Sequence, residues 1–84
     1  MNNSSLTEMA AKAIGNAPEG FSPLTDDGDC ARMEAQLGLS ILWFKDYVLS
    51  GKGRLHQVID CNGDKNAARR AASVAVAAEI GRWK

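Results

Sequence analysis

The chain has 84 residues, 45% apolar and 24% charged, and its ten basic and ten acidic side chains leave a formal charge of zero. A chain this short buries only ~60–65% of its unfolded surface, enough for one core and therefore one domain over residues 1–84. These fractions exclude a disordered tail, no apolar run approaches the ~20 residues that cross a bilayer, and the start Met-Asn-Asn-Ser-Ser lacks the basic and apolar parts of a secretory signal, so a soluble cytoplasmic domain is expected.

Ser5 and Glu8 have the spacing of a capping box, so a first helix is predicted to start there. Leu6, Met9, Ala10, Ala13 and Ile14 follow the spacing of one buried stripe, and Gly15 supplies the left-handed residue that ends it. Pro18, Gly20 and Pro23 then prevent continuation and make an ordered turn, anchored by Phe21 and Leu24. Thr25 or Asp26 can cap a second helix, whose partly positive N-terminus accounts for Asp26, Asp27 and Asp29. Cys30, Met33 and Leu37 form its inward stripe, Arg32, Glu34 and Gln36 are expected in water, and Gly38 closes it.

Leu39 to Leu49 is rich in aliphatic and aromatic residues and reads as the best strand. Unbroken, it would place Leu39, Ile41, Trp43, Tyr47 and Leu49 on one face and Leu42, Phe44 and Val48 on the other, as when a second layer or a partner covers each side. Lys45 and Asp46 could instead mark a turn. Residues 50–53 then read as a turn and Arg54 to Cys61 as a second strand, giving an antiparallel hairpin. Asn62, Gly63 and Asp64 make a turn and cap before a long alanine-rich helix from Lys65 to Trp83. One side of that helix carries Ala72, Val76, Ile80 and Trp83. A second, with little bulk, carries Ala67, Ala71, Val74, Ala75 and Ala78 and permits close approach of another helix. The predicted fold is α+β, a small α/β sandwich of order α-α-β-β-α with an antiparallel hairpin packed against helices.

Chemistry-bearing patterns are weak. Asp60 to Asp64 begins like a calcium loop, but Lys65 stands at the required glycine position and Ala71 at the bidentate glutamate position. His56, Cys61 and Cys30 do not have standard zinc spacing, and a thiol nucleophile at Cys30 or Cys61 would need a contact with His56 that spacing does not supply. In a reducing cytoplasm the two cysteines read as packed free thiols. No glycine-rich phosphate loop precedes a helix, so no cofactor, metal, catalytic residue or small-molecule substrate is expected, and the chain reads as a non-enzyme.

Two binding readings remain. Residues 1–36 carry two basic and six acidic side chains and residues 37–84 eight basic and four acidic ones, so Arg54, Arg69, Arg70 and Arg82 are the candidates for a nucleic-acid-binding surface. Trp43, Phe44, Tyr47 and Trp83 are the candidate anchors for a protein partner, with burial in the core the commoner fate of any one of them. The protein-binding reading leads, because zero net charge and core-like aromatics disfavour nucleic acid. A homodimer is attractive because a two-stranded hairpin alone is marginal.

The segments Phe21-Ser-Pro-Leu-Thr-Asp-Asp-Gly-Asp-Cys-Ala-Arg32, Gly38-Leu-Ser-Ile41, Ala67-Ala-Arg-Arg-Ala-Ala72 and Ala78-Glu-Ile-Gly-Arg82 resemble the NinX-like small proteins of tailed phages, the phage alpha-beta-alpha sandwich family. Phe21 stands where that family is expected to carry tryptophan, and Cys30 where it is expected to carry alanine. The resemblance implies a phage or prophage origin, an α/β sandwich and expression in an infected bacterium, and it carries over no catalytic residue. With the absent site constellation, it leads to the expectation of an accessory protein that binds a bacterial host protein to blunt a defence system or redirect a host activity.

Overall fold

The computed structural model describes residues 3–84, so Met1 and Asn2 of the predicted domain lie outside the described residues. Six elements follow in order: α1 (Asn3–Ile14), α2 (Asp27–Leu37), β1 (Ser40–Trp43), β2 (Tyr47–Lys52), β3 (Leu55–Asp60) and α3 (Lys65–Arg82). The predicted α+β class holds, with one strand more than the hairpin expected. Lys45 and Asp46 break the Leu39–Leu49 run, and Phe44 N–H donates to the Tyr47 carbonyl across them at 2.9 Å. The break lets both charged side chains reach water, where an unbroken strand would carry them along the sheet.

The sheet is antiparallel in the order β1-β2-β3, with Leu42 opposite Leu49, Trp43 opposite Val48, Val48 opposite Ile59 and Leu49 opposite Val58. The second turn is Gly53-Arg54, because Ser50, Gly51 and Lys52, expected in a turn, continue β2. Gly51 is required in that strand: a Cβ there would stand 2.8 Å from the Leu55 carbonyl oxygen and 3.1 Å from His56 Cβ.

The helix signals largely set their own boundaries. Asp26 is the N-cap of α2, its side chain accepting from Asp29 N–H at 3.2 Å, and Gly38 ends the helix with φ of 70°. Asp64 caps α3 in the same way, accepting from Ala67 N–H at 3.0 Å. α1 starts at Asn3, which moves Ser5 inside the helix and away from the predicted cap position.

α3 packs against α1 and α2 on one side and against β2 and β3 on another. Its contact with α1 is close because Gly81 lies against the Met9 carbonyl; a Cβ at Gly81 would come within 1.8 Å of that oxygen. Ala10, Ala13, Cys30, Met33, Leu37, Val74 and Ala77 form the helical core, with Leu6, Ile14, Phe21 and Leu24 half-buried around it. Val48, Cys61 and Ala68 form a smaller core between α3 and the sheet, flanked by Ile41 and Ile59. α3 therefore covers one face of the sheet, with α1 and α2 packed on α3, and the opposite face stays open.

Candidate interaction surface

Two groupings stand apart from ordinary core packing, one inside the molecule and one on the open sheet face. The inner one is polar. Glu34, expected in water, is only 7% exposed and turns toward α3. Arg69 Nε donates to its Oε2 at 2.7 Å while Arg69 Nη2 donates to Oε1, and Ser73 Oγ donates to Oε2. Ser73 Oγ also lies 3.0 Å from Ser50 Oγ in β2, and the Cys30 thiol points at Glu34 Oε2 from 3.6 Å. A charge-assisted fork of this kind draws a carboxylate into a partly dry interior that Coulomb attraction alone would not reach. The cluster joins α2, α3 and β2.

Its chemistry is that of a tie. Cys30, Ser50 and Ser73 are fully buried. Burial, and secondarily the adjacent Glu34 carboxylate, pushes the Cys30 thiol up to about 12, so the nucleophilic thiolate is suppressed where it would have to react. Among the described residues every buried side-chain nitrogen and oxygen has a hydrogen-bond partner, so the cluster leaves no buried donor or acceptor unpaired.

The outer grouping is apolar. In an antiparallel ladder directly opposed residues project from the same face, so Leu42, Leu49 and Val58 form one row across all three strands. Leu42 is 52% and Val58 48% exposed. Tyr47 stands beside this row, and its ring stacks on Phe44 across the first turn with centroids 4.5 Å apart and planes 18° from parallel. Serine and glycine at Ser40 and Gly51, with His56 and Asp60, border the field on the same face.

The predicted anchors thus divide. Phe44 and Tyr47 are together on the open face; neither is core. Trp43 projects from the other face, opposite Val48, and is still 51% exposed because α3 packs on β2 and β3. Trp83, 80% exposed, caps the far end of α3. The helix N-terminus adjoins the first turn, since Lys65 lines one shallow depression with Lys45 and Asp46, and 18 residues of helix place Trp83 about 27 Å along from it. The predicted single face carrying Ile41, Trp43, Tyr47 and Leu49 does not form, because the two-residue turn reverses the alternation between β1 and β2. Leu42 and Val58 were missed as surface residues. Their signal was the Lys45-Asp46 pair, which exchanges inside for outside from Tyr47 onward.

The candidate arginines also divide. Arg69 is held by Glu34 and lies 3.7 Å from Asp27; Arg70 donates to the Leu24 carbonyl and to Asp27 at 2.9 and 2.6 Å. Their side chains are 15% and 16% exposed, so both neutralise acidic groups of α2 and are not displayed for phosphates. Arg82 pairs with Glu79, and Arg54 stands exposed in the second turn. The acidic first part and basic later part of the chain are thus partly joined as internal ion pairs. Asp29 is instead paired within the first part, holding Ser22 N–H at 2.8 Å and Arg32 at 2.6 Å, and these bonds lower its carboxyl below the usual range.

The other patterns do not converge. Cys30 is in the helical core, Cys61 in the sheet core and His56 on the open face, and among the described residues no three histidine, cysteine or acidic side chains are grouped to hold a metal ion. The depression, about 620 Å³, is lined by Asp60, Asn62 and Gly63 as well, but the chain leaves it directly into α3 at Lys65 without the rest of a calcium loop. Among the described residues no helix is long and apolar enough to cross a membrane. Compared with protein-family models, with curated proteins and with solved structures, the chain matches none.

Proposed function

We propose that this is a non-enzymatic accessory protein of a phage or prophage that acts in the cytoplasm of the infected bacterium by binding a host protein through the open face of its sheet. The observation that carries the reading is the apolar row Leu42, Leu49 and Val58 with the stacked Phe44–Tyr47 pair beside it, left in water by a fold whose sheet is covered by α3 on the other face. Contiguous apolar surface bordered by polar residues is characteristic of protein contacts, and rigid aromatics at its edge supply anchoring area at low entropic cost. The phage origin rests on the sequence resemblance. The nucleic-acid alternative loses support from the internal pairing of Arg69 and Arg70.

The test compares capture from nuclease-treated bacterial lysate by the wild-type protein and by a Leu42→Thr/Tyr47→Ala variant, followed by titration with the purified captured protein. Both residues are exposed and lie in strands, so the variant should keep its far-ultraviolet circular dichroism. The expected result is one enriched host protein whose affinity falls about tenfold or more in the variant. Equal binding by the folded variant, or capture that requires intact nucleic acid, would remove the proposal.

A further inference from the structure

β3 is an outer strand of the sheet, and its hydrogen-bonding direction follows from one bond. Cys61 N–H donates to the Asp46 carbonyl at 2.9 Å, in register with the β2–β3 ladder. Because bonded and non-bonded pairs alternate along an antiparallel ladder, Leu55, Gln57 and Ile59 turn their backbone groups toward β2. His56, Val58 and Asp60 turn theirs outward, to an edge on which the sheet has no further strand.

That edge lacks proline, lysine and a bulge: β3 has six residues in regular register along its whole length, and Asp60 is its one acidic side chain. β1, the other edge, has only four residues. On the helix-facing side of β3, Gln57 is exposed, although α3 packs on the strand and leaves Leu55 and Ile59 half-buried. Its side chains complement themselves. Reversing the strand about Val58 sets Val58 against Val58, His56 against Asp60 and Asp60 against His56. Among the described residues Asp60 is in no ion pair, although Lys45 and Lys65 line the same depression; the pairs use Asp26, Asp27, Asp29, Glu34 and Glu79.

We infer that β3 pairs antiparallel with β3 of a second copy of this chain, about a two-fold axis at Val58, to form a continuous six-stranded sheet. The backbone groups of His56, Val58 and Asp60 then bond to those of Asp60, Val58 and His56 of the second copy, and a histidine–aspartate pair closes each end. The row Leu42, Leu49 and Val58 continues into its own copy, so two apolar fields become one, on the same side of one sheet. The interface is independent of the host-binding reading and leaves that face uncovered. About five residues per chain take part, which is below the ~800 Å² per partner of standard stable interfaces, so association should be concentration-dependent in the micromolar range or above.

Sedimentation equilibrium of the full chain between 10 µM and 1 mM, roughly the span across which such a contact should saturate, reads the mass directly. The wild type should pass from monomer to dimer. His56→Glu sets carboxylates opposite Asp60 at both ends and should weaken the dimer about tenfold or more, and adding Asp60→Lys should restore it by reversing both pairs. Val58→Pro removes an N–H that faces away from β2 and should give a folded monomer. A wild type that stays monomeric throughout, or a dimer that tolerates both His56→Glu and Val58→Pro, would overturn the edge pairing; the latter would mean that the open faces meet instead. Host binding, read through Leu42 and Tyr47, fails or survives separately.

Discussion

Replacing Gly81 by alanine tests how closely α1 is seated on α3. The added Cβ would lie 1.8 Å from the Met9 carbonyl oxygen, 2.8 Å from its carbon and 3.3 Å from Ala13 N. A relaxed carbon–oxygen contact is about 3.3 Å, so the helices must part by roughly 1.5 Å. Even a gap of about 0.5–1 Å forfeits a quarter to a half of each dispersion contact across it, and this gap opens beneath Ala10, Ala13, Val74 and Ala77, all buried. Overpacking of this severity costs about 3 kcal/mol, offset by about 1 kcal/mol from the better helix propensity of alanine, for a net loss of about 2 kcal/mol. In urea unfolding followed by circular dichroism the midpoint should fall by about 2 M, and the thermal midpoint by about 10 °C. Gly28→Ala is the control, because its Cβ would meet only the Arg32 guanidinium, a mobile group, and should leave stability unchanged or raise it by up to about 1 kcal/mol. A Gly81→Ala protein as stable as the wild type would refute the close α1–α3 contact.

Glu34→Gln should cost about 3 kcal/mol in the same unfolding assay, because Arg69 keeps its charge in a site that is 15% exposed; Glu34→Leu with Arg69→Met should recover most of the loss, and a single-variant cost below about 1 kcal/mol would refute the buried tie. Asp29 has a folded-state pKa below its unfolded value through the Ser22 N–H and Arg32, so its contribution is present above about pH 4 and is lost as pH falls through the folded value. Asp29→Asn should therefore flatten the acid limb of a stability–pH curve, and an unchanged limb would contradict that assignment. Cys30, with its thiol near 12, exposes about one thiolate in ten thousand molecules at pH 8, so a disulfide reagent should label it only as the protein unfolds; labelling at the rate of a free thiol would refute its burial.

Local chemistry was legible in the residues themselves. Asp26 and Asp64 cap because their side chains satisfy first-turn amides, Gly38 stops α2 because it accepts the left-handed conformation, and the stripe Cys30, Met33 and Leu37 is buried as its spacing required. The small residues of α3 announced a close helix neighbour, and α1 packs there, but the tightest approach falls at Gly81, outside the predicted set Ala67, Ala71, Val74, Ala75 and Ala78. The third strand was half-legible: Lys45 and Asp46 marked a turn, yet the length of apolar run around them favoured one strand.

The tertiary structure decided what distance along the chain conceals. Glu34 has the helical position of a solvated residue and is buried only because Arg69, 35 residues later, arrives beside it with Ser73. Arg70 looked available to phosphates until Leu24 and Asp27 claimed its donors. Above all, a two-residue turn reverses which side chains of the aromatic segment face inward, so that Val48 is wholly buried and Leu42 half-exposed. Periodicity determines which residues share a face within an element. Whether that face meets a helix, water or another protein depends on which segments fold across it, and here α3 folds across one side of the sheet.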